Sequence, residues 1–132
     1  MTIKDHRIFG PDGLWLDFSS LERYRLESGE EIWRHRVREG WRKTYGARLI
    51  ENVVQWLARM VISQAMVRII NLGYRIPLTV HDDVFILIPL NGGDMLPKEH
   101  LARCQVEVGR QVPWLEACPI AVEAELLDAL DK

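Results

Sequence analysis

From Ala47 to Leu72, apolar residues return at three- and four-residue steps: Ile50, Val53, Val54, Leu57, Val61, Ala65, Ile69 and Leu72. That spacing predicts one long helix over 47–72 with a buried face. Asn71-Leu-Gly73 supplies its stop, Gly73 being suited to the left-handed residue just past the last turn. At 1.5 Å per residue such a helix spans roughly 37 Å, enough to cross a small domain. The chain has 132 residues, the size of a single domain, so whatever fold it adopts is built around that rod. On another face Arg48, Asn52, Gln55 and Arg59 follow at helical steps and form one polar stripe.

The segments on either side read as strands and a second helix. Pro11-Asp12-Gly13 is a turn signal, since Pro presets φ and Gly tolerates φ > 0. Leu14, Leu16 and Phe18 then alternate as a half-buried strand does, which makes residues 1–30 a β-hairpin region. A second turn is expected at Glu27-Ser28-Gly29-Glu30, and the basic, tryptophan-bearing stretch Ile32–Tyr45 has no decisive period. Residues 74–90 read as strand, tight turn, strand: Ile76, Leu78 and Val80 lead into His81-Asp82-Asp83, and Val84–Ile88 leads out, stopped by Pro89 and Asn91-Gly-Gly93. Because Val84–Ile88 is apolar on both faces, it is expected to be covered on both sides. Pro97–Gly109 predicts a helix with Leu101, Val106 and Val108 among its apolar positions, and Pro119–Leu126 predicts a last strand, so that 97–132 closes the domain. The order gives the α+β class, an antiparallel sheet packed on a long helix, in one domain over 1–132.

Composition narrows the class further. Hydrophobic residues make up 48% and charged residues 27%, the mix of a globular chain and not of a disordered one. Uninterrupted apolar runs such as Val84–Leu90 are far shorter than the ~20 residues of a membrane span. No charged-then-apolar leader opens the sequence, and Cys104 and Cys118 form no CxxC pair. A cytoplasmic, reduced protein with no membrane partner is therefore expected. The formal charge of −2 hides an asymmetry: residues 34–75 carry nine basic and two acidic groups, +7 in an otherwise anionic chain. Such a segment is either a solvated helix face or a surface for a polyanion.

The His81-Asp82-Asp83 triplet is where chemistry concentrates. Apolar strands deliver two adjacent carboxylates to a turn, where they repel each other unless cations approach. Mg²⁺ prefers carboxylate oxygens, with phosphate completing its coordination, and two-metal phosphoryl transfer uses such carboxylates as a clamp. A plain polar turn is the alternative, because Asp is common in turns. In the same way the helical stripe is either a wet face or a set of phosphate and minor-groove contacts. The tryptophans Trp15, Trp33, Trp41, Trp56 and Trp114 either pack or stack on bases. His-Asp is also the central doublet of the HD phosphohydrolases, but there it lies on a helix, and His6, His35 and His100 have no metal-type spacing here.

Thr44-Tyr-Gly-Ala-Arg-Leu-Ile-Glu-Asn-Val-Val-Gln-Trp-Leu-Ala-Arg59, then Ala65-Met66, then Gly73-Tyr-Arg-Ile-Pro-Leu-Thr-Val-His-Asp-Asp-Val-Phe85, resembles the family-A DNA polymerases of the phage branch. In that family a Tyr-Gly-Gly stretch leads into a palm helix of the type Glu-Asn-x-x-Gln-x-x-Ala-Arg, and a hairpin with His-Asp-Glu at its turn, motif C, follows. Pro11-Asp-Gly-Leu-Trp-Leu-Asp-Phe18 is similar to the family's Pro-x-Gly-x-x-Leu-x-Tyr hairpin. Val112-Pro-Trp-Leu-Glu-Ala-Cys-Pro-Ile-Ala-Val-Glu123 is similar to its Pro-Pro-Trp…Pro-Leu-x-x-Glu ending. The match covers nearly the whole chain, in order. It implies a partial polymerase palm in phage or bacterial host cytoplasm. Asp82 would be a catalytic Mg²⁺ ligand, Asp83 a secondary acidic ligand where the family has Glu, and His81 would lie against the primer-terminal nucleotide. Gln55, with Arg48 and Asn52, would face the minor groove of primer–template DNA, and Arg59 completes the stripe.

Departures from the pattern matter as much. Met60 stands where the family's helix usually has Asp, and Arg48 is one residue out of register. The thumb, the fingers and motif A, which supplies the other essential carboxylate, should precede this region. Lys43 is too close to Tyr45 to be the fingers lysine. Asp17-Phe-Ser-Ser-Leu-Glu22 mimics motif A, yet Leu14–Phe18 already fits the hairpin. Two expectations follow. The chain is one piece of a split polymerase beginning at Met1, inactive alone and completed by a partner polypeptide with motif A, fingers and thumb. Alternatively it is a non-catalytic remnant or accessory module that keeps the palm fold and binds DNA or protein.

Overall fold

The computed structural model of the chain describes residues 1–90 and 94–128. It is an α+β structure with antiparallel sheets and a long helix, and it divides into two compact units, Met1–Ala58 and Arg59–Lys132. The Asn91-Gly-Gly93 stop and residues 129–132 lie outside the described residues.

In the first unit, β1 (Thr2–Lys4), β2 (Arg7–Phe9) and β3 (Trp15–Asp17) form an antiparallel meander. Asp5 and His6 join the first two strands, both at positive φ (49° and 60°), as a two-residue loop matched to strand twist requires. The Pro11-Asp12-Gly13 turn forms as expected: Gly13 takes φ +83° and Asp12 Oδ1 accepts the Leu14 amide at 3.0 Å. A second meander follows, β4 (Glu22–Arg25), β5 (Glu31–Val37) and β6 (Gly40–Thr44). Residues 1–30 therefore hold more than a hairpin, and the undecided stretch 32–45 is a pair of strands. Its strands alternate Arg with Trp and His in place of polar with aliphatic, so hydropathy carries no period of two.

Helix α1 runs Gly46–Asn71, close to the expected 47–72. It ends in a Schellman motif: the Gly73 amide donates to the Ile70 carbonyl (2.9 Å) and the Tyr74 amide to the Ile69 carbonyl (3.3 Å), with Gly73 at φ +91°. Within the first unit Trp56 packs over Gly10, where an added Cβ would lie 2.7 Å from the indole ring. The anticipated apolar face needs correction at that end. Ile50 and Val54 are exposed (66% and 59%), whereas Met60, absent from the predicted face, is buried. Helical period alone identifies an apolar stripe, not which part of it finds a partner. By length and composition alone α1 is long and apolar enough to cross a membrane, as core helices of globular proteins can also be. Arg59 near its middle would cost about 2.5–3.5 kcal/mol at a bilayer centre.

In the second unit the end of α1 is followed by β7 (Arg75–Val80) and β8 (Asp83–Leu87), a hairpin, and by α2 (Pro97–Val108). Ile69, Tyr74 and Cys104 form the buried core, with Leu72, Ile76, Ile86 and Val108 packed on it. Arg68 Nε donates to the Glu107 carbonyl at 3.1 Å, fastening α1 to α2. Tyr74 Oη and His100 Nδ1 share a buried 2.6 Å hydrogen bond, so His100 is a core histidine. Val106 is exposed (67%) and is not part of the α2 core face. The expected two-sided cover of Val84–Ile88 is not found. Leu87 is exposed, as are Leu78 and Val80, because the hairpin pairs with no further strand among the described residues. Pro119–Leu126 is likewise not a strand: with no ladder to join, it is held by such contacts as Gln105 Nε2 to the Val122 carbonyl (3.0 Å).

Two measurements check this packing. Ile69→Ala empties the centre of the second core and should lower stability by about 2–5 kcal/mol in urea denaturation with an unchanged m value. Burial pushes the Cys104 thiol above its ordinary pKa, while Cys118 is exposed. A thiol reagent at pH 8 should therefore titrate one cysteine promptly and the second only on unfolding.

Candidate metal and nucleic-acid site

The hairpin turn is built tightly. Val80 pairs with Asp83, which leaves His81 and Asp82 as a two-residue loop. His81 takes φ +54°, a left-handed conformation that favours glycine. From α1 within the same unit, Arg59 Nη1 donates to the His81 carbonyl at 3.3 Å and ties the loop to the helix. Asp83 pairs with Val80, and Phe85, two residues on, pairs with Leu78, so Asp83 shares the face of Leu78, Val80 and Phe85, opposite that of Ile86 in the core. His81, Asp82 and Asp83 are all exposed, and neither carboxylate makes an ion pair or hydrogen bond to another described residue. Upstream, the register of β7 slips between Arg75 and Leu78, around Pro77, which has no amide to donate.

These carboxylates suit an Mg²⁺ ion that takes one or two protein oxygens and fills its remaining positions with water and phosphate. They do not make a closed two-metal clamp, because no group of three or more His, Cys, Asp or Glu comes together among the described residues. Asp17, the motif A mimic, lies in the first unit with both oxygens engaged. Oδ1 accepts the Ser19 amide at 2.7 Å and Oδ2 accepts Arg7 Nε at 3.3 Å. The Ser19 hydrogen bonds, helped by Arg7, hold its carboxyl below the usual value.

The expected polar stripe on α1 is less uniform than its spacing suggests. Arg48 is half-buried, donates to the Lys43 carbonyl at 3.3 Å and lies 5.5 Å from the Tyr45 ring centroid. Asn52 is half-buried too. Gln55 and Arg59 are exposed, with Gln55 Nε2 donating to Glu51 Oε1 at 3.1 Å. Arg59 is thus a positioning residue for the His-Asp-Asp loop as well as a surface cation. Sequence spacing placed Arg59 on a polar stripe, but its partner, a backbone carbonyl 22 residues on, leaves no mark in the pattern.

His81 in a left-handed conformation generates a test. His81→Gly should raise stability by about 0.5–1 kcal/mol in chemical denaturation, since glycine relieves the backbone penalty less its own chain-entropy cost. A lower stability would show that the imidazole makes a stabilising contact.

No family profile matches this sequence, and no solved structure matches it. Over 108 residues it is 29% identical to the DNA polymerase of Bacillus phage SP02, an alignment covering 82% of this chain and 14% of that protein. The chain spans about one seventh of the length of the relative it matches. Its sequence is therefore related to that of a phage DNA polymerase.

Proposed function

We infer that the chain is the C-terminal palm portion of a family-A DNA-directed DNA polymerase, acting in the phage host's cytoplasm as one piece of a split enzyme. The observation that carries the reading is the pair of exposed carboxylates, Asp82 and Asp83, on a loop tied to a long helix, in a sequence related to a phage DNA polymerase. Asp82 is the Mg²⁺ ligand of motif C, Asp83 the secondary acidic ligand, and His81 rests against the primer-terminal nucleotide. Mg²⁺ bound there would neutralise charge developing on the transferred phosphoryl group. Arg59 holds the loop so that the carboxylates keep one geometry, and Gln55, with Arg48 and Asn52, faces the minor groove of primer–template DNA. The missing carboxylate, the fingers and the thumb come from a partner polypeptide, for which the exposed Leu78, Val80 and Leu87 are available apolar contacts.

A second reading, a non-catalytic palm remnant that binds DNA or protein, is favoured by one observation. Met60 is buried at a position where the resemblance implies Asp, so the core is adapted to an apolar side chain there.

On primed template with Mg²⁺ and all four dNTPs, the chain alone should extend no primer. A complementing polymerase fragment should restore extension, and Asp82→Asn should abolish what is restored. Extension by the chain alone that Asp82→Asn removes would contradict the split arrangement. Duplex binding should be weak, independent of sequence and steeply salt-dependent, each neutralised phosphate adding about −0.9 to the slope of log K against log salt. In anisotropy titrations Arg59→Ala should flatten that slope, whereas Gln55→Ala should lower affinity and leave the slope in place, because an amide releases no counterion. Binding like the parent's by both variants would make the stripe an ordinary wet face.

A further inference from the structure

The meander β4–β6 has a feature that the polymerase reading does not use. In an antiparallel sheet, directly paired residues share a face. Glu22, Arg34 and Lys43 lie in one row, flanked on the same face by the pairs Tyr24–Ile32 and Arg36–Trp41. Arg34, on the central strand, therefore has Tyr24 and Trp41 as its diagonal neighbours on the two outer strands. Its guanidinium carbon lies 3.5 Å from the Tyr24 ring centroid and 4.3 Å from that of Trp41. Glu22 Oε1 fixes the guanidinium in place, 2.6 Å from Nη2 and 2.8 Å from Nε.

The two rings are thus held by an arginine, not by an apolar core, and they remain open: Tyr24 is 40% and Trp41 47% exposed. Cations surround them. Residues 34–43 carry five basic side chains against Glu39 alone. Arg36, paired directly with Trp41, is exposed and makes no ion pair among the described residues. Lys43 is paired with Glu30 at 3.0 Å and Arg42 lies 3.7 Å from Glu39, which leaves Arg36 as the cation beside the rings that can take a new anion directly. Open rings held in place beside such a cation suit a ligand that alternates flat π faces with negative charge. Unpaired nucleotides have that chemistry. A duplex does not, since its base faces already stack on one another. Acidic peptides offer the charge without the faces.

We propose that this face of β4–β6 is a platform for single-stranded nucleic acid. Tyr24 and Trp41 stack on bases, Arg36 meets a phosphate, a second phosphate draws Lys43 from Glu30, its ion-pair partner at 3.0 Å, and Arg34 is a positioning residue that sets the two rings apart. The platform needs no metal and no partner chain, so it stands or falls apart from the proposed polymerase function.

The test is fluorescence anisotropy of labelled twelve-residue oligothymidine with the full chain in EDTA, beside a duplex of the same length. Trp41→Ala and Tyr24→Ala should each weaken oligothymidine binding about tenfold to a hundredfold and leave duplex binding unchanged, while Trp41→Phe should keep most of the affinity. Arg36→Ala should reduce the slope of log K against log salt by about 0.7, the increment for one phosphate on a single strand. Circular dichroism confirms the fold of each variant. Should Trp41→Ala fail to fold, Arg36→Ala decides: an unchanged slope and affinity overturn the proposal. Binding by Trp41→Ala and Tyr24→Ala equal to the parent's overturns it too, as does competition by polyglutamate as strong as by oligothymidine.

Discussion

The second unit depends on how α1 stops. With Gly73 in the left-handed region, the chain turns back so that Tyr74 caps the Ile69 carbonyl and enters the core beside Ile69 and Cys104. One residue later β7 begins, and the hairpin that carries His81, Asp82 and Asp83 follows directly from that reversal. Arg59, nearly three helical turns before Ile69, then reaches the loop carbonyl. Helix end, core and loop are thus one mechanical series, with a glycine at its hinge and an arginine at its far contact.

Electrostatics adds a second layer. The net +7 of residues 34–75 divides among structural uses. Arg34 is held between rings and paired to Glu22, Arg48 turns back onto Lys43 and Tyr45, Arg59 supports a loop, and Arg68 ties two helices. Much of the basic segment is therefore spent on holding elements together. What is left for a polyanion is a smaller set, including Arg36, paired across the sheet with the exposed Trp41, and Arg59, exposed where it meets the His81 carbonyl.

The parts of the fold that rest on local chemistry were legible in the sequence. The bounds of α1, the Pro11-Asp12-Gly13 turn, the hairpin over 74–90 and α2 follow from period, glycine placement and proline placement, each written within a few residues. Features set by distant partners were not. Strands β4–β6 hide because their side chains, chiefly Arg, Trp and His, are amphipathic and erase the contrast between faces. Pro119–Leu126 has strand composition but no ladder to join, so composition misled. Ile50 and Val54 belong to an apolar stripe yet are not covered by the described residues. At the site, the His-Asp-Asp turn was visible in sequence; the left-handed His81 and the Arg59 contact were not, for both are decided by three-dimensional closure.

In the proposed site the turn residues hold a divalent cation when DNA is present. Paramagnetic broadening reads this directly: Mn²⁺, which favours the same carboxylate oxygens as Mg²⁺, is added in substoichiometric amounts to ¹⁵N-labelled chain with primer–template duplex. The amide signals of His81, Asp82, Asp83 and Val84 should broaden first, and Asp82→Asn should remove the effect. Broadening centred on another acidic segment, or broadening at the turn that survives Asp82→Asn, would contradict it.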